Sequence, residues 1–141
     1  MNKVIAVTTI AVFAVLALSC SSGSNPANAG KAIKSGPAGN NLTVTLSNAD
    51  GVLRKGSQNF TVTFADASGK PVDVGAVALN FFMPAMGSMS AMNNPATFTT
   101  TRTPGVYSGK ADIEMSGEWQ AQITYEGQAG KGKATLPITA Q

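Results

Sequence analysis

The sequence contains no histidine and a single cysteine, Cys20. Without histidine there is no Ser-His-Asp or Cys-His catalysis, and no His-ligated zinc or copper. One cysteine permits neither an intramolecular disulfide nor a Cys-based zinc cluster. Charge is sparse as well: 12% of the 141 residues are charged, ten basic against seven acidic. No run of Lys or Arg forms the basic stripe that a nucleic-acid binder carries. No Asp-rich loop has the spacing of a calcium site. Fifteen glycines and seven prolines are too few for a collagen-like or wholly disordered chain. These absences turn the reading from catalysis to binding, in one domain with a tail.

The first twenty residues read as an address and an anchor. Met1-Asn2-Lys3 is a short positive start, and Val4 to Leu18 is an uncharged, mostly apolar run of fifteen residues. That is short of the about 20 residues a spanning helix needs and within the roughly 7–15 of a signal-peptide core. Ala17-Leu18-Ser19-Cys20 resembles the lipobox of bacterial lipoproteins, best at Ser19 and Cys20. The resemblance implies a signal peptide over 1–19 and lipidation of Cys20. Acyl chains on Cys20 would remove the anomaly of a free thiol in an oxidising compartment. Two or more chains anchor stably where one is marginal. Ser21 rather than Asp after the cysteine favours, in a Gram-negative cell, the outer membrane facing the periplasm. Residues 20–40 are rich in Ser, Gly, Asn, Ala and Pro, with Ile33 the one large aliphatic. They are expected to be a flexible linker, because they bury too little apolar surface to repay ordering.

From residue 41 to 141 the chain alternates with period two. The inward sets are Leu42-Val44-Leu46, Phe60-Val62-Phe64, Val77-Leu79-Phe81, a weaker Phe98-Thr100, and Tyr107-Ala111-Ile113-Met115. Trp119-Ala121-Ile123-Tyr125 and Ala134-Leu136-Ile138 complete them. Alternation with β-branched and aromatic enrichment marks half-buried strands. Turn residues fall between the segments, at Asp50-Gly51, Ser68-Gly69-Lys70-Pro71, Thr103-Pro104-Gly105, Ser116-Gly117 and Glu126-Gly127. The pattern predicts an all-β, immunoglobulin-like antiparallel β-sandwich of about seven strands. Trp119 is expected in its core, in phase with Ile123.

One segment is not explained by folding. Four of the five methionines beyond Met1 fall within ten residues, at Met83, Met86, Met89 and Met92. Pro84, Gly87 and Asn93-Asn94-Pro95 argue against a strand or a long helix there, so a loop or a single helical turn is expected. Three uses fit such a loop. Methionine is adaptable filler that could fold over the end of the sandwich, or a soft surface for a partner. It is also a neutral, soft thioether ligand suited to Cu(I) or Ag(I) and ill suited to Mg²⁺ or Ca²⁺. On this last reading Met83, Met86, Met89 and Met92 are the ligands. Met115 is a further candidate that strand parity turns inward, core before ligand. Asp112, Glu114, Glu118 and Glu126 alternate on solvent faces and form no catalytic pair, so no enzyme activity is expected.

Four blocks carry a family resemblance: Gly69-Lys70-Pro71-Val72, Met83-Pro84-Ala85-Met86-Gly87, Pro104-Gly105-Val106-Tyr107 and Met115-Ser116-Gly117-Glu118-Trp119. In order and spacing they resemble the YtkA-like and FixH-like group of small β-sandwich domains. The resemblance implies handling of copper in the cell envelope, for delivery or resistance, with a metal-efflux or cuproenzyme-assembly protein as partner. The alternative is a metal-free module that docks such a partner through the same loop. The family's Met-Pro-x-Met-Gly is commonly followed by histidine; here Ser88 follows, so a mixed Met/His site is not available.

Overall fold

Period-two alternation produces strands wherever one face can be buried, and the computed structural model, which describes residues 30–141, contains nine. They are β1 (Lys31–Gly39), β2 (Leu42–Asn48), β3 (Gly56–Ala65), β4 (Ala76–Met83), β5 (Met92–Pro95), β6 (Thr97–Thr100), β7 (Val106–Ile113), β8 (Gly117–Gly127) and β9 (Gly130–Ala140). A five-stranded sheet runs β1-β2-β3-β7-β6 and a four-stranded sheet runs β5-β4-β8-β9, all neighbours antiparallel. The two sheets face each other as an immunoglobulin-like sandwich, as the alternation predicts. The signal peptide expected over 1–19, Cys20 and the part of the expected linker up to residue 29 lie outside the described residues.

The core is the set of inward residues. Val44, Leu46, Val62, Phe64, Phe81, Ile113, Trp119 and Ile123 are all buried. Each large apolar side chain removed from water contributes about 1.5–3 kcal/mol. Val77 and Phe98 are only partly buried, packing against the core margin. Phe60 meets Phe81 and Phe98 edge to face, with ring centroids 5.7 and 5.9 Å apart. Gly109 pairs with both Phe60 and Phe98, and a Cβ there would stand 2.4 Å from Phe60 Cε2. The absent side chain is what lets the two rings meet across β7.

Two strands depart from the expected seven. The linker expected to run to residue 40 ends earlier, because Lys31–Gly39 is strand β1. Its side chains are mostly exposed, and its stability comes from backbone pairing with β2 and close approach to β9. Ser35 Oγ donates to Val44 O at 3.2 Å, and a Cβ on Gly36 would fall 2.7 Å from Leu136 Cδ2. Asn40 and Asn41, at φ 52 and 58, turn the chain into β2. Two consecutive positive-φ residues are the signature of the type I′ hairpin that matches strand twist. The second addition, β5, is a continuation of β6 that changes sheets at Ala96, whose N–H donates to Leu79 O at 2.9 Å. Pro95, with no N–H to give, sits where pairing with β4 ends. The strand expected to reach Met115 ends at Ile113, and Met115 lies in the connection to β8.

Candidate functional site: the methionine hairpin

The methionine segment is a β-hairpin. Met83, last in β4, is the cross-strand partner of Met92, first in β5. Pro84 then removes one ladder donor and regular pairing stops. It resumes at the tip, where Met86 and Met89 form an isolated antiparallel bridge. They exchange both backbone hydrogen bonds, Met86 N–H to Met89 O at 3.1 Å and Met89 N–H to Met86 O at 2.9 Å. Gly87, at φ 57, opens the two-residue turn between them. Glycine is favoured there because an L side chain resists positive φ.

Spacing of three, which scatters side chains on a single strand, has a different result here. Both pairs straddle one turn centre, between Gly87 and Ser88. Directly opposed residues of an antiparallel pair project to the same side. Each pair of thioethers therefore shares a side of the hairpin.

The two pairs have different surroundings. Met83 is 1% exposed and belongs to the core. Met92 is half-buried against that core. Met86 and Met89, at 51% and 38%, are the exposed large hydrophobics of the described residues. Met115 is half-buried beside the core, and its carbonyl accepts Trp119 Nε1–H at 3.0 Å. The five candidate sulfurs are thus divided between the interior and the tip.

The segment from Met83 to Met92 holds no ionisable residue. The titrations that the fold perturbs lie elsewhere. The Arg54 guanidinium, then the Val52 N–H, hold the Asp50 carboxyl below its usual value. The Ser68 hydroxyl and the Lys70 N–H do the same for Asp66. Burial pushes the Tyr107 phenol up, and the hydrogen bond to Asp73 adds to it. Among the described residues, no group of three or more His, Cys, Asp and Glu could hold a metal. A metal on this hairpin would rest on thioether sulfur.

Asn94, read from sequence only as part of a chain stop, supports the hairpin from below. It is buried, and its Nδ2 donates to Asp112 O at 2.6 Å and Glu114 Oε1 at 3.3 Å, tying β5 to the opposite sheet. Nothing local in Asn93-Asn94-Pro95 distinguishes it from its exposed neighbour, Asn93. Only its inward parity does, and that needs the register of β5.

An all-β sandwich with a methionine hairpin at one end defines the class of domain. The chain belongs to the YtkA-like family, which it matches over residues 38–124. The matched region runs from the end of β1 into β8 and contains the whole hairpin. No curated protein matches the chain.

Proposed function

We propose that this chain is a non-enzymatic, membrane-tethered envelope protein that binds Cu(I) or Ag(I), with Met86 and Met89 as the principal ligands. The observation that carries the reading is the pairing of these two exposed thioethers across a hydrogen-bonded turn. Hydrogen-bonded partners have Cα atoms about 5.5 Å apart, and methionine's three flexible torsions let both sulfurs close on one ion. Soft, neutral donors suit a monovalent soft ion of low coordination number. Met92, on the other side of the hairpin and half-buried against the core, is left out of the site. Met83 spends its thioether on the core. A site on an exposed tip can exchange its ion directly with another protein's ligands, which suits delivery to an efflux or cuproenzyme-assembly partner. Lipidated Cys20 would hold the protein at the membrane.

Native mass spectrometry of the chain loaded with Cu(I) under reducing conditions tests this. One ion per chain is expected, and none in the Met86→Leu/Met89→Leu double variant. Binding unchanged in that variant would refute the site. For the anchor, Cys20→Ser should abolish incorporation of labelled fatty acid and move the protein out of the membrane fraction.

A second reading is favoured by the same exposure: the tip docks a partner without metal, methionine being well adapted to soft interfaces. Leucine at both tip positions separates the two, since it retains apolar docking area and removes the sulfur ligands.

A further inference from the structure

We infer that the methionine tip faces the membrane to which the chain is tethered, so that the partner it fits is a protein embedded in that membrane. This rests on the anchored reading of Cys20, and the placement of the tip relative to the chain's entry point is read from strand register. Lys31, the first residue of β1, pairs with Asn48, the last of β2. Gly56, where β3 begins, pairs with Ile113, where β7 ends. Gly117, where β8 begins, pairs with Ala140, and its Cβ would lie 3.1 Å from Met83 Cε. The chain's entry at Gly30, the connections over 49–55 and 114–116, and the hairpin tip therefore share one end of the sandwich. The opposite end carries the Asn40-Asn41 turn and the connections over 66–75 and 101–105.

The entry point is fixed. Gly30 has φ 63, and a Cβ on it would stand 2.1 Å from Asn48 O, so the chain passes flush against the end of β2. Ten peptide links join Cys20 to Gly30, which bounds their separation at about 35 Å. The eight residues of β4 place the opposite end roughly 26 Å farther along the strands. A lipid on Cys20 draws the tip's end of the domain toward the bilayer. The tip brings no charge that would need to be desolvated there, only the two exposed thioethers. This upright arrangement needs the shorter excursion of the chain from the bilayer, which favours an acceptor in the same membrane for the metal-binding pair and leaves the far end roughly 26 Å farther out.

The test uses the full lipidated chain in phosphatidylcholine/phosphatidylglycerol vesicles, without metal. A fluorophore is placed on Ser88→Cys at the tip or on Ala67→Cys, an exposed position in the 66–75 connection. The acylated Cys20 leaves the new thiol as the one that reacts. Headgroup-attached nitroxide should quench the tip probe several-fold more than the Ala67→Cys probe, and a long Gly/Ser insertion after Cys20 should erase the difference. Equal quenching, or stronger quenching at position 67, would overturn the orientation while leaving copper binding and lipidation to stand. A chain that does not partition into the vesicles overturns the anchor and the orientation together, again without touching the metal reading.

Discussion

The terminal methyl of Met83 fills the space in front of Gly117: a Cβ built on that glycine would lie 3.1 Å from Met83 Cε. This contact explains why the four evenly spaced methionines differ in exposure. Met83 packs the end of the core while Met86 and Met89 stand free at the tip. Met83→Leu should therefore leave Cu(I) stoichiometry unchanged and cost less than about 1.5 kcal/mol, as shape-preserving core swaps do. The double change at Met86 and Met89 should abolish binding and leave stability within about 0.5 kcal/mol. Chemical denaturation and competition with a Cu(I) chelator read the two effects. Loss of binding in Met83→Leu would show that the core thioether turns outward to the metal.

The hairpin's lack of ionisable groups predicts an affinity insensitive to pH. Histidine and cysteine ligands compete with protons because they titrate near pH 6.5 and near pH 8.5, whereas a thioether has no proton to lose. Cu(I) affinity should stay almost flat between about pH 5 and about pH 8, measured against a chelator of known pH dependence. A steep fall on acidification would identify a carboxylate ligand, with Glu114 or Glu118 the first to substitute.

Trp119 is 1% exposed and its indole N–H is used by Met115 O. Trp119→Ala should cost about 3–5 kcal/mol, a large share of a stability of roughly 5–15 kcal/mol. The loss should also free the 114–116 connection, seen as faster amide exchange there than elsewhere. A melting temperature that barely moves would contradict the core position.

Tyr107 supplies a pH dependence of the fold itself. Its hydroxyl accepts the Val74 N–H at 3.2 Å and donates to Asp73 Oδ1 at 3.0 Å. Burial first, and then Asp73, raise its pKa above the ordinary 10.0. The contribution is whole below that value and is lost as pH rises through the raised one, since the unfolded phenol ionises first. Tyr107→Phe leaves a buried N–H unpaired, so it should cost about 1–3 kcal/mol at neutral pH. It should also make the decline in stability above about pH 10 shallower than in the parent. Parallel alkaline limbs in the two proteins would show that the phenol ionises freely in the fold.

Much of the fold was legible because burial on one face of a strand imposes a period of two on the residues. Leu42-Val44-Leu46, Phe60-Val62-Phe64 and Trp119-Ala121-Ile123-Tyr125 announce their inward faces without any partner being known. The missing histidine and the one cysteine likewise restrict the chemistry before any coordinate is seen. Strand β1 was hidden because Lys-Ala-Ile-Lys-Ser-Gly-Pro-Ala-Gly buries little side chain; it is held by backbone bonds to β2 and by glycines that let it lie close to β9. The Asn40-Asn41 pair was the available local sign of it. The change of sheet at Ala96 left no periodic trace in strands of four residues each. For the methionines, composition alone determined that soft sulfur is concentrated in one segment and that no proton competes for it. Only the tertiary structure decided which sulfurs are free, because a residue's exposure depends on what its turn and register bring against it. Gly117 draws Met83 inward, and the Gly87-Ser88 turn leaves Met86 and Met89 outside.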